Sequence, residues 1–178
     1  MTSTIYLTAT SLDGYIATED NDLSWLFQFD GEDPGNPYPA FIDDVGALAM
    51  GATTYEWINQ HHPGEWAYAD RPTWVFTHHD LPTIEGANLN FTQGDVAEVH
   101  ADMVEAAQGR DVWLVGGGDL VGQFLDQDLL DDIWVSIAPV LLGTGAPLLP
   151  RMRTKPMRVV EVRHVTDGPF VHVHYSLR

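Results

Sequence analysis

Residues 112–125 read V-W-L-V-G-G-G-D-L-V-G-Q-F-L, an apolar run that ends on three consecutive glycines and passes at once into a helical pattern. Leu120, Val121, Phe124 and Leu125 fall on one face of that pattern. Few architectures accommodate such a run, because a buried strand has to turn within three residues into a helix that packs back on it. Layered α/β folds do so. Glycine lets the chain turn sharply and come close to a neighbour, since no Cβ intervenes. The helix that follows aims unpaired N–H groups and its positive dipole end at the turn, which favours an anion. A tight strand–helix connection with no ligand is the other reading of the same residues.

A second turn of this design is Met50-Gly51-Ala52-Thr53-Thr54-Tyr55-Glu56. Thr53 and Glu56 stand at capping-box spacing, which alone explains both residues. Two such turns in one chain point to a diphosphate held between two helix N-termini. A third strand end, Phe76-Thr77-His78-His79, is expected on the same side, where loops after parallel strands gather and a protonated histidine meets a ribose phosphate. The glycines at 116, 118 and 122 do not fit G-x-G-x-x-G, and no G-x-x-x-x-G-K-[ST] occurs, so a standard Rossmann domain and a P-loop nucleotidase are excluded.

The remaining elements alternate. Strands are expected at 4–10, 47–50, 73–77, 112–115 and 133–139, with helices at 40–45, 53–60, 95–108 and 118–127. Asp95 and Glu98 form an N-terminal capping pattern for the third of these helices. Residues 159–165 and 170–177 read as a closing hairpin about Asp167-Gly168. Residues 30–39 (DGEDPGNPYP) read as a surface loop. The pattern predicts a single α/β domain over 1–178: three layers, a mostly parallel central sheet flanked by helices, and an antiparallel C-terminal hairpin.

Charge narrows the partners. Eight Lys+Arg against 26 Asp+Glu leave a net charge of −18 with neutral histidines, which repels nucleic acid and anionic membranes. Five of the basic residues fall between Arg151 and Arg163. No cysteine is present, so there is neither a disulfide framework nor a thiolate metal site. No basic stretch precedes apolar residues at Met1-Thr2-Ser3-Thr4, and a cytoplasmic location is expected.

Five segments in order resemble the dihydrofolate reductase superfamily, in the branch of the riboflavin-pathway pyrimidine reductase domain (the RibD C-terminal domain). They are residues 11–17 (SLDGYIA), 50–56 (MGATTYE), 75–78 (VFTH), 114–120 (LVGGGDL) and 139–148 (PVLLGTGAPL). The resemblance implies NADPH lying across the strand ends and hydride transfer to a small pyrimidine- or pterin-like ring. It implies that Gly51, Thr53, Thr54, Gly116, Gly117, Gly118, Asp119 and Leu120 hold the diphosphate, beside Val115. Thr77 and His78 would lie near the adenosine ribose, Leu12, Tyr15 and Ile16 would wall the nicotinamide, and Asp13 and Trp25 would approach the substrate. A homodimer joined at a sheet edge is implied by the same analogy.

Two positions depart from that pattern. Ala52 stands where family members carry an arginine for the cofactor phosphates, so NADH is also open, with His78, His79 or Arg71 as stand-ins. Asp30 falls at the offset of the folate enzymes' acid, but Gly31, Pro34, Gly35 and Pro37 prevent a helix from continuing there. Asp30 is therefore a weak candidate for the catalytic acid, and a non-catalytic nucleotide-binding homodimer is the alternative to a reductase. His172 and His174 point to one face of the last strand, read as an exposed polar face rather than a metal site. Trp25, Trp57 and Trp66 are expected near the cleft, and Trp113 and Trp134 in the core.

Overall fold

The computed structural model describes residues 2–178 apart from Asp30, Glu32 and Ala69. In chain order its elements are β1 (Thr4–Ser11), β2 (Tyr15–Ala17), α1 (Ser24–Phe27), α2 (Tyr38–Asp43), β3 (Val45–Gly51) and α3 (Ala52–His61). They continue with β4 (Thr73–Phe76), β5 (Leu89–Thr92), α4 (Val96–Ala106), β6 (Asp111–Gly116), α5 (Gly118–Asp126) and β7 (Asp132–Ala138). The chain closes with β8 (Ala146–Pro147), β9 (Arg158–Arg163) and β10 (Val171–Ser176). Eight strands form one sheet in the order β5-β4-β3-β6-β1-β7-β10-β9. The first six run parallel, and β10 and β9 are antiparallel to what precedes them. This is the expected α/β class, with its mostly parallel sheet and closing hairpin.

Alternation along the strands makes two faces. Tyr6, Ala47, Ala49, Val112 and Leu114 pack against Met103 of α4 and Val121 and Phe124 of α5. Ile5, Leu7, Leu48 and Trp113 face the other way, where α2 contributes Phe41. Each large apolar side chain buried here contributes about 1.5–3 kcal/mol. Among the described residues, no helix is long and apolar enough to cross a membrane.

The differences from the sequence reading are local. β5 was not expected; it is a four-residue edge strand whose residues stay partly exposed, so no buried pattern marks it. The short elements α1 and β8 sit in turn-rich sequence that reads as loop, and α2 begins two residues ahead of the helix expected at 40–45. Helix α3 starts on Gly51 as N-cap with no side-chain cap, so the Thr53–Glu56 capping box does not form. Asp95 does cap α4, accepting from the Ala97 N–H at 2.8 Å.

Candidate functional site

Because β3, β4, β5 and β6 are parallel, they end at the same edge of the sheet, on Gly51, Phe76, Thr92 and Gly116. Two helices begin there, α3 after Gly51 and α5 after Gly117. Both N-caps are extended glycines with no side-chain cap, so the first-turn amides are left to other partners. Gly116 has φ +135°, a conformation an L side chain rarely adopts. A Cβ on Gly118 would lie 2.6 Å from the Leu148 carbonyl oxygen and closer still to that of Pro147, so only glycine lets α5 start where it does.

Between the two helix starts lies a recess of about 340 Å³. It brings together Gly51, Thr53, Thr77, His78, Gly117, Asp119 and Leu120 from the sequence-predicted set. Thr92, Gln93 and Gln123, which no sequence signal marked, complete it. A Cβ on Gly117 would meet no atom within 4 Å, so the backbone there faces open space. Thr54 Oγ is the nearest atom to where a Cβ on Gly116 would stand, at 4.0 Å. Two uncapped helix N-termini, an open glycine backbone and threonine hydroxyls suit a diphosphate. Asp119 is bound by Arg151 at 3.0 Å and by Gln123 at 3.2 Å, and these partners hold its carboxyl below the usual range.

No lysine or arginine is found among the described residues lining this recess. Arg71 is not the stand-in for the arginine missing at position 52. Its guanidinium donates to the carbonyls of Val45 and Ile42, both at 3.1 Å, at the opposite end of β3. Those carbonyls belong to the end of α2 and the start of β3, which explains its position.

A larger cleft of about 680 Å³ opens over the middle of the sheet. Its floor is Leu7 and Ala9 of β1, Trp113 and Val115 of β6 and Ser136 of β7, and Phe27, Phe29, Tyr38 and Tyr68 rise around it. Burial pushes the phenols of Tyr68 and Tyr38 up, so both are neutral O–H groups at neutral pH. Trp113 is thus both core and cleft floor, 5% exposed, with its indole N–H donating to the Leu7 carbonyl at 3.1 Å. Trp25, placed near the substrate by sequence, is instead packed on Ala138 and Phe170. Its helical neighbours Leu26 and Phe27 reach the cleft. Trp57 stacks on His61 with ring centroids 4.1 Å apart, and Trp66 packs with Tyr55 and Tyr68.

Leu12, Tyr15 and Ile16 are not among the described residues lining these two cavities. They belong to a clasp in which the Leu12 N–H donates to the Val140 carbonyl and β2 pairs with β8. Asp13 fastens it, accepting from Ser11 Oγ and from the amides of Leu142 and Gly143 at 2.6, 3.1 and 2.7 Å. Ser11 first, then the two amides, hold the Asp13 carboxyl below the usual range. Asp30 lies outside the described residues.

One arrangement in the cleft wall was not read from sequence. β10 pairs with β7 so that His172 stands opposite Ser136. His172 Nδ1 is 2.8 Å from Ser136 Oγ, and its Nε2 is 3.2 Å from the Asp33 carboxylate. The His172 and Asp33 side chains are 8% and 12% exposed, so the expected exposed histidine face is corrected: this ring is buried between partners. His174 is held likewise, 2.8 Å from Asp132 and against the ring of Trp134. A lone carboxylate acceptor at Nε2 requires a proton there, so the neutral ring accepts the Ser136 hydroxyl proton at Nδ1.

Comparison with known proteins places these features in context. The model of the RibD C-terminal domain matches residues 53–173, more than half of the chain. An uncharacterized protein of Bacillus subtilis (strain 168), YwjB, is 30% identical over 173 residues, covering 97% of this chain and 96% of that one. The crystal structure of a putative riboflavin biosynthesis protein from Shewanella sp. PV-4 superposes with TM-score 0.79 at 27% identity, covering 98% of both chains. A diaminohydroxyphosphoribosylaminopyrimidine deaminase/5-amino-6-(5-phosphoribosylamino)uracil reductase from Thermotoga maritima gives TM-score 0.67 at 15% identity, covering 98% of this chain and 56% of that one. Dihydrofolate reductase from Enterococcus faecalis, complexed with NADP(H), shares the fold with TM-score 0.61 at 14% identity, covering 98% and 95%.

Proposed function

Since the chain belongs to the RibD C-terminal domain family, we propose that it is a nicotinamide-dinucleotide-dependent reductase of a small pyrimidine- or pterin-like heterocycle. The observation that carries this reading is the pairing of two cavities. A recess suited to a diphosphate lies between two uncapped helix N-termini, and beside it a cleft walled by Phe27, Phe29, Tyr38, Tyr68 and Trp113 suits a planar ring. Val115 on the cleft floor and Gly117 in the recess are two residues apart, so one extended ligand spans both.

In this reading the first-turn amides of α3 and α5 bind the diphosphate, with Thr53 and Thr54 as hydroxyl donors. Thr77 and His78 meet the adenosine end, and the aromatic walls orient the heterocycle and exclude water from it. When bound, the dinucleotide supplies a hydride and is oxidised, so that a C=N or C=O bond becomes CH–NH or CH–OH once a proton is added at the heteroatom. The family resemblance favours NADPH. A recess whose described lining lacks lysine and arginine supports acceptance of NADH as well.

The same feature favours the second reading, a nucleotide-binding homodimer without turnover. Either reading includes a pair of chains joined at β9. All six residues of this edge strand are exposed, among them Val159, Val160 and Val162.

The test is titration with NADH and NADPH, followed by tryptophan quenching and energy transfer to the nicotinamide. Cofactor oxidation is then measured with 5-amino-6-(5-phosphoribosylamino)uracil and with dihydrofolate. Saturable micromolar binding together with turnover of either compound is the expected result. Binding without turnover selects the second reading, and no binding at millimolar concentration removes both.

A further inference from the structure

We propose that Ser136, His172 and Asp33 form a proton relay whose outer member, Ser136, donates the proton that completes reduction of the bound substrate. The inference rests on the reductase reading above.

The geometry supplies each link. Ser136 Oγ lies on the floor of the aromatic cleft, next to Ala9 in the register of β1 and β7. Behind it, His172 Nδ1 is at 2.8 Å, and beyond the ring the Asp33 carboxylate is at 3.2 Å from Nε2. Asp33 is itself set by the Gly35 N–H at 3.2 Å. Gly35 passes so close that a Cβ there would lie 3.3 Å from His172 Nε2 and 3.0 Å from Val165 Cγ2. Asp33 also borders the cleft, so the relay has an inner and an outer contact with it. The other charged groups on the His172 side are Glu161 and Arg163 of β9 and His174 of β10, which share with it a cavity of about 20 Å³. Arg163 is paired with Glu161 at 2.8 Å and His174 with Asp132, leaving Asp33 as the charge that governs His172.

In the loaded state His172 carries both ring protons, balanced by Asp33, and Nδ1–H donates to Ser136 Oγ. The Ser136 O–H bond breaks as the new N–H or O–H bond forms on the substrate heteroatom. Ser136 regains its proton from His172 Nδ1, leaving a neutral ring whose Nε2–H stays on Asp33. Water then restores the Nδ1 proton. A Ser–His–Asp chain also activates nucleophiles, but acyl transfer needs free amides for the oxyanion. Ser136 sits in mid-strand between β1 and β10, and the backbone around it is committed to the two ladders. Proton delivery needs no such amides. Ser136 is the catalytic residue of the three, and His172 and Asp33 act through it.

The experiment uses the full chain, with ¹⁵N-histidine spectra and cofactor oxidation measured side by side on wild type, S136A, S136T, H172Q and D33N. The substrates are 5-amino-6-(5-phosphoribosylamino)uracil and dihydrofolate. Neutral His172 is expected as the Nε2–H tautomer in wild type, and D33N weakens that preference, since the amide offers a donor as well as an acceptor to Nε2. S136A and H172Q are expected to lower kcat on the order of 100-fold with KM little changed, and S136T to restore most of it. In D33N kcat is expected to fall as well, because the carboxylate that fixes the ring's Nε2–H has been lost. A Nδ1–H tautomer in wild type, or wild-type kcat in S136A, overturns the relay while leaving the reductase reading in place. Dinucleotide binding without turnover of either compound by the wild-type chain overturns the reductase reading and the relay with it.

Discussion

At the scale of single residues, position 52 separates this chain from the family pattern its sequence resembles. Ala52 lines the recess beside His78 and Thr92, where, in the proposed binding mode, an arginine side chain would reach the ribose end of the dinucleotide. A guanidinium pairs with phosphate through charge-assisted, often bidentate bonds worth about 1.5–3 kcal/mol. Ala52→Arg is therefore expected to tighten NADPH about 10-fold or more while changing NADH little, read as the ratio of the two Kd values. An unchanged ratio would mean that the 2′-phosphate does not approach this position. Asp33, His172 and Ser136 mark the limit of sequence reading at this scale. The histidine's face follows from strand alternation, but its partners lie 36 and 139 residues away, and only the β7–β10 register and the turn at Asp33–Gly35 bring them together. Trp25 failed for the converse reason. Its neighbourhood was legible, but whether its ring turned toward the cleft or toward Ala138 and Phe170 depended on packing that no local pattern encodes.

Elements carry the site by where they begin. Gly117 and Gly118 are consecutive and do opposite things. Gly118→Ala drives a Cβ into the Pro147 and Leu148 carbonyls and should destabilise the fold by about 1–3 kcal/mol. Gly117→Ala meets nothing within 4 Å and has a φ of −75° that any residue adopts, so denaturant melts should change little. Its methyl instead enters the recess, and dinucleotide affinity should fall. If both variants lost stability equally, the division between scaffold and site drawn here would be wrong. A second element-scale expectation concerns α4 and β1, joined by His100 Nε2 to Thr4 Oγ at 2.7 Å. Burial favours the neutral ring and lowers its folded pKa below the ordinary 6.5, with Asp131 opposing. The unfolded chain then takes up the proton first, so this group's contribution is present above that range and is lost as pH falls through it. His100→Gln should flatten the fall in unfolding midpoint between pH 7 and pH 5. Helix and strand order was legible because burial on one or two faces imposes a period on the sequence. β5 was not, because an edge strand with partly exposed residues carries no such period.

For the whole molecule, the unevenness of the sheet's margins makes the most specific demand. β9 exposes Val159 at 54%, Val160 at 43% and Val162 at 62%, and Val171 of β10 is 38% exposed beside it. An edge strand with apolar side chains in water is an invitation to further pairing, which proteins normally blunt with charge or cover with another chain. Elsewhere the net charge of −18 would keep copies apart, but Arg158 opens this edge strand and Lys155 lies just before it, and the two locally offset that charge. In the proposed dimer a second copy pairing along β9 would remove the valines from water and satisfy the open ladder, by the isologous contact that two-fold dimers use. Light scattering should therefore give the mass of two chains for wild type, and Val162→Asp should give the mass of one. Because β9 lies at the far side of the sheet from β3 and α3, dinucleotide binding should survive in that variant. A wild-type monomer would leave the apolar edge without its proposed occupant. Loss of binding together with the dimer would mean that the second chain helps to hold the site together.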